Sequence, residues 1–258
     1  MESTSFFVSY FGFIIEFTIP NSGLRWEKQV ISVFKKNYIG YIPRSKVITK
    51  SDITIRFVES KTDSKLRSNK LTYIVPTTTH FLDRKKFGQL LREIVISALL
   101  FLTRKMGGVC LHASSASHNG KAILFIGNSG SGKSTICQLL SSDFIKLTDD
   151  TTFLIHKKSW ITSPLPVFEK KIPLRFRSSS LQLKVVALYF IKQGSRNNIT
   201  ELTKDAGIFQ RLLDNTLYTG SVYEIAHVKA LIDTSIPCYQ LEFTKSKKIG
   251  SLVKQFLD

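Results

Sequence analysis

Along the first part of the chain, apolar and polar residues come in short alternating runs. FFVSYFGFIIEFTI, ITIRFV and LTYIVP, within residues 5–19 and 46–78, are rich in β-branched and aromatic side chains and broken by Asn, Ser, Gly and Pro, a pattern that predicts strands. The pattern changes at Phe81. From there to Arg104, Phe87, Leu90, Leu91, Ile94, Ile96, Leu99, Leu100 and Leu102 recur at helical spacing, so a long, largely buried helix is expected. A boundary just before that helix divides the chain into a β-rich N-terminal domain, residues 1–80, and a second domain, residues 81–258.

In the second domain strands and helices alternate. KAILFI (121–126) is a nearly continuous apolar run, as in a strand buried on both faces. It enters a glycine-rich loop and continues as a helix through STICQLLSS. FIKL (144–147), VVALYFI (185–191) and CYQLEF (238–243) read as further strands, with helices at about 203–216 and 221–232. A last amphipathic helix carries Ile249, Leu252, Val253 and Phe256. The fold class expected is α/β, a core sheet flanked by helices.

Composition narrows this picture only slightly. With 258 residues, 43% hydrophobic and 22% charged, the chain can bury one large core or two modest ones. Lys and Arg number 37 against 19 Asp and Glu, a positive balance that suits an acidic partner as readily as a lysine-rich solvated surface. No nucleic-acid motif accompanies it, so no specific nucleic-acid partner is expected. Cys110, Cys137 and Cys238 are odd in number and widely spaced, which suggests neither a disulfide framework nor a zinc site. The apolar start lacks a basic leader and a cleavage site, and IVISALLFL (94–102) is far shorter than a membrane span. A cytoplasmic protein with no transmembrane segment is the expectation.

Gly127-Asn128-Ser129-Gly130-Ser131-Gly132-Lys133-Ser134 matches G-x-x-x-x-G-K-[ST] at every specified position. Glycines let such a loop curl so that successive N–H groups face phosphate oxygens, and the start of the following helix, including Thr135, adds to the attraction. Lys133 is expected to reach the terminal phosphates and Ser134 to sit on Mg²⁺. ATP with Mg²⁺ is the cofactor this implies.

Residues 135–148 separate that motif from Asp149-Asp150, room for one short helix and one strand. The strand is expected to return at the same edge of the sheet and to deliver both carboxylates beside the phosphates. Neighbouring residues point different ways, so one carboxylate can serve the metal while the other takes a proton from an attacking hydroxyl. A turn or a helix cap is the bland alternative for the pair.

LHASSASHNGKAILFIGNSGSGKSTICQLLSSDFIKLTDDTTFL (111–154) resembles the core of HPr kinase/phosphorylase-like proteins, in which a histidine segment, a hairpin, the P-loop and a strand ending in Asp-Asp follow one another closely. The LHAS form, with L-P-V-F-E-K and ELTKDAGIFQRLLDNTLYT, is closer to the HPr kinase-related serine kinases of peptide-modification clusters such as those of lasso peptides. The resemblance covers roughly residues 107–245. It implies an HPr kinase-like core sheet, Asp150 as catalytic base, Asp149 as a metal-side carboxylate, and His112 lining the acceptor site. It also implies a peptide or protein serine acceptor and a homo-oligomer. The glycine-containing signature that supports phosphorolysis in bifunctional members is missing from PVFEKKIPLRF (166–176), so kinase activity without phosphorylase activity is expected.

Other residues carry two readings each. His112 suits a hydrogen-bonded core position as well as a site. Glu169 offers a second metal ligand, with Lys170 and Lys171 gripping the acceptor, or else all three are a solvated charge run; Arg175 and Arg177 are phosphate contacts or strand-surface charges. Lys28, Lys35, Lys36, Arg84, Lys85 and Lys86 form a docking face for an acidic peptide or belong to a domain that merely buttresses the sheet. A serine kinase leads the functional readings, ahead of a nucleotide-dependent switch or assembly NTPase, a small-metabolite kinase and a nucleotide-holding module without turnover. Switch proteins usually place a longer span between the loop and the metal-binding Asp.

Overall fold

The computed structural model describes residues 3–20, 25–38, 41–42, 51–59, 67–69, 72–77, 84–140, 142–165, 181–217 and 222–257. They form a mixed α/β fold that clusters into two compact units, parting inside one long helix between Leu99 and Leu100.

In the first unit, β1 (Ser3–Tyr10) and β2 (Phe13–Pro20) make an antiparallel hairpin. Alternate residues Val8, Tyr10, Ile15, Phe17 and Ile19 are buried, as the period-2 pattern requires. β3 (Ile53–Glu59) lies parallel to β2, and parallel neighbours need a crossover. α1 (Arg25–Tyr38) supplies it, a helix that the strand-like composition of this region did not announce. Its Val30, Phe34 and Tyr38 recur every fourth residue and are buried; the Phe34 ring lies 5.0 Å from that of Phe6 and 4.9 Å from that of Phe17. β4 (Arg67–Asn69) and β5 (Thr72–Thr77) complete a sheet ordered β1-β2-β3-β5-β4. α2 (Arg84–Lys105) follows and runs through the division.

The second unit is built on a nine-stranded mixed sheet. Its elements in chain order begin with β6 (Val109–Leu111), β7 (Ala113–His118), β8 (Lys121–Ile126), α3 (Lys133–Leu139) and β9 (Ile145–Thr148). Next come β10 (Thr152–His156), β11 (Trp160–Thr162), β12 (Leu183–Gln193) and β13 (Asn198–Leu202). α4 (Ala206–Asp214), α5 (Val222–Ile232), β14 (Cys238–Phe243) and α6 (Lys248–Gln255) close the unit.

The main path runs β6-β10-β11-β12-β8-β7-β9, with β14 on β12 and β13 on β14. β12 is parallel to both β8 and β14. β8 is buried from Ala122 to Ile126, as its continuous apolar run predicts. α3 and α6 cover one face, where Ile136, Ile249 and Val253 pack with Phe125, Tyr189, Ile191 and Phe243. Arg211 of α4 lies over Phe190, whose side chain points to the other face.

The strand carrying the two aspartates does not return beside β8. β9 pairs antiparallel with β7, which pairs antiparallel with β8, so the crossover passes over one intervening strand. The reason is local: the Asn119-Gly120 turn, with φ of 47° and 73°, folds β7 onto that edge of β8 as a tight hairpin, and β12 holds the other edge. Among the described residues no helix is long and apolar enough to cross a membrane.

Candidate functional site

β8 leads directly into the 127–134 loop. Gly130 and Gly132 have φ of 79° and 101°, a region costly for side chains bearing a Cβ. At Gly132 a Cβ would also come within 2.6 Å of Phe243 Cζ. Asn128, Ser129 and Gly130 are exposed, Gly127, Ser131 and Gly132 half-buried, so the crown of the loop faces solvent. Gln193, at the end of β12, donates to Gly130 O at 3.2 Å, and Asn128 O accepts from Ser131 N at 3.1 Å. Ser134 is exposed and Thr135 half-buried in the first turn of α3.

Lys133 turns back beneath this crown and is buried. Its Nζ donates to Gly127 O at 2.6 Å, to Asn128 O at 3.1 Å and to His112 Nε2 at 2.8 Å. An ammonium has no lone pair to give, so Nε2 accepts and the imidazole proton belongs on Nδ1. That nitrogen lies 3.3 Å from Asp150 Oδ1. Burial holds the Lys133 ammonium below its usual pKa, and the Asp150 charge opposes the shift. The His112 ring sits in the break between β6 and β7, and its backbone N–H donates to Asn215 O at 2.6 Å, tying it to the end of α4.

The two aspartates have different partners. Asp150 is exposed and faces His112. The Asp149 carboxylate is held by Lys146 Nζ at 2.5 Å, and its carbonyl accepts from Ser114 Oγ. Below them a run of hydroxyls links three strands: Ser115 to Thr148 at 2.8 Å, Thr148 to Thr152 at 2.6 Å, and Thr152 to Ala113 O at 2.8 Å. Polar groups buried this way hold position because each finds a partner.

A cleft of about 250 Å³ opens beside the loop, lined by Gly127, Asn128, Ser131, Phe190, Ile191, Arg211, Asp214 and Asn215. Of the residues expected from sequence, His112, Lys133 and Asp150 meet at the start of the loop, whereas the Asp149 carboxylate turns toward Lys146. Glu169, Lys170, Lys171, Arg175 and Arg177 lie outside the described residues. Lys28 and Lys35 on α1 and Lys86 on α2 are exposed. Lys146, Gln193, Arg211 and Asn215 went unread in the sequence. For Arg211 a signal existed: it falls on the same helical face as the buried Ile208 and Leu212, an unusual place for a cation.

The arrangement offers oxygen ligands and nitrogen donors. The Ser134 hydroxyl and the aspartate carboxylates are the hard oxygen donors that Mg²⁺ takes. Among the described residues no three His, Cys, Asp or Glu side chains could hold a metal by themselves. Thiol chemistry is disfavoured at Cys110 and Cys238, which are buried, because burial raises both thiols above their usual pKa.

A family model described as SynChlorMet cassette protein ScmC matches residues 82–216. No curated protein matches the chain. The matched span contains the 127–134 loop, His112, both aspartates and Arg211.

Proposed function

The chain belongs to the ScmC family of SynChlorMet cassette proteins, a membership that names no reaction, and from the site itself we propose an ATP- and Mg²⁺-dependent kinase. It transfers the terminal phosphoryl group to the serine hydroxyl of a peptide or protein, on an HPr kinase-like core. The observation that carries this reading is the line Lys133–His112–Asp150, with contacts of 2.8 and 3.3 Å. It links a cation suited to the terminal phosphates with an exposed carboxylate suited to an incoming hydroxyl. The resemblance of residues 111–154 to HPr kinase-like proteins supports the same roles.

In the mechanism, backbone N–H groups of residues 127–134 cradle the phosphates, and Lys133 exchanges its carbonyl and imidazole acceptors for phosphate oxygens. Asp150 accepts the proton of the serine hydroxyl as that oxygen attacks. His112, protonated at Nδ1, keeps the Asp150 carboxylate oriented and lines the acceptor side. Ser134 and Asp149 would hold Mg²⁺, whose charge would offset that of the transferred group. The positive balance of 18 charges favours an acidic acceptor.

The test uses γ-labelled ATP, Mg²⁺ and serine peptides, acidic and neutral, at low and high salt, with the label mapped by mass spectrometry. Phosphoserine is expected, with slow ATP hydrolysis when no acceptor is present. Acidic peptides should lose their advantage as the Debye length falls from about 10 Å at 0.1 M to about 3 Å at 1 M salt. Rapid acceptor-independent hydrolysis with no labelled peptide would replace the kinase by a switch NTPase. Label confined to small metabolites would keep the chemistry and change the acceptor.

A further inference from the structure

Arg211 lies in the last part of α4 and lines the cleft beside Gly127 and Asn128. Its guanidinium rests 4.3 Å from the centroid of the Phe190 ring. Nη2 donates to Gln240 Oε1 at 3.0 Å, and Gln240 is itself fixed by donating to Phe190 O at 2.7 Å. The head group is thus held from below and from the side, a rigid fork with donors left over.

What it lacks is a counter-charge. Among the described residues no carboxylate pairs with Arg211. Asp214, on the same cleft wall, accepts instead from Gln210 Nε2 at 2.7 Å. Burial also lowers the pKa of the guanidinium, the mark of a cation that has lost water. Partly desolvated cations are ordinarily balanced by an anion. The same cleft is lined by the 127–134 loop, at the two residues whose carbonyls hold the Lys133 ammonium at 2.6 and 3.1 Å.

We propose that Arg211 is a second cationic clamp on the bound nucleotide, binding its terminal phosphate from the α4 side while Lys133 binds it from the loop side. The terminal phosphate is favoured over the inner ones because Lys133, whose type in this motif reaches that end of the nucleotide, places its ammonium at the same end of the loop. The inference rests on the nucleotide-binding reading and deepens it. It also gives α4 two tasks at one place, since Asn215 fixes the backbone of His112 only four residues further on.

The test compares ATP and ADP, each with Mg²⁺, by titration calorimetry on the full chain. Arg211→Gln is expected to weaken ATP binding roughly tenfold to a hundredfold, the usual loss for a charge-assisted hydrogen bond, and to leave ADP binding within about twofold. Retained ADP binding shows that the loop remains folded, and an unchanged thermal melt shows the same of α4. Should Arg211→Gln fail to fold, Arg211→Lys, which keeps the charge and the stem but loses the fork, is expected to reduce the preference for ATP over ADP. Equal losses for both nucleotides, or no loss for either, would overturn the role of Arg211 and leave the nucleotide site standing. Failure of the unsubstituted protein to bind either nucleotide would overturn the nucleotide site, and the clamp with it.

Discussion

Asp149 and Asp150 are chemically identical neighbours given different work by what each touches. Lys146, with a side chain 9% exposed, depends on Asp149 for its counter-charge. Asp149→Asn is therefore expected to lower stability by about 1–3 kcal/mol, the cost of stranding a buried polar partner, and Lys146→Met in the same chain should restore much of it. Urea unfolding of the single and double variants measures this coupling directly. Asp150 is more exposed and its partner is an imidazole, so Asp150→Asn should leave the unfolding midpoint and ATP affinity nearly unchanged. If it is the base, phosphoryl transfer should fall by ~10²–10⁴. A variant that binds and transfers normally would remove Asp150 from the mechanism. The residue types at 149 and 150 were legible in the sequence, but their partners were not. Lys146 meets Asp149 three residues on, through a strand end, and no periodicity marks such a contact.

Elements here are placed by a few positions where only one residue type fits. Gly132 and Gly120 both have positive φ, 101° and 73°, but their surroundings differ: a Cβ at 132 meets the Phe243 ring, whereas one at 120 meets nothing within 4 Å. Gly120→Ala should cost about 1–2 kcal/mol, the penalty of the left-handed conformation alone. Gly132→Ala should cost at least 1 kcal/mol more, because the ring must move, and should weaken ATP binding. Thermal melts with and without nucleotide separate the two effects; equal losses would mean that Phe243 yields freely. At this scale the sequence was informative wherever apolar spacing was strong, as in β8, β12, β14 and α2. It was silent on α1, whose charged residues sit among apolar ones in a region rich in strand-forming types. It also ran α4 past its true limits: Asp205 caps the helix by accepting from Ile208 N at 3.0 Å, so helix begins at Ala206 rather than near 203.

In the whole molecule, the sheet of the second unit ranks its strands by how many neighbours they have. The position of β9 was the part of that plan the sequence could not supply: loop length limits how far a crossover reaches, but the strand it must pass is set by the 119–120 hairpin earlier in the chain. β12 stands at the other extreme. It pairs with β8 from Lys184 to Phe190 and with β14 from Leu188 to Gln193, and Leu188 to Ile191 are buried. Amide protons there can reach solvent only when the unit as a whole comes apart, whereas those of the exposed crown at residues 128–130 need only local opening. Deuterium uptake should therefore run on two clocks. Without nucleotide the crown should label early and Leu188–Ile191 last; with saturating ATP and Mg²⁺ the crown should slow sharply, and the β12 amides should slow by the factor 1 + [L]/Kd, about a hundredfold at a hundredfold excess over Kd. Early exchange at Leu188–Ile191 would mean that this strand is not the last to open. In the expected case the slow clock is an affinity gauge that needs no catalysis and no acceptor, written into the strand with the most neighbours in its sheet.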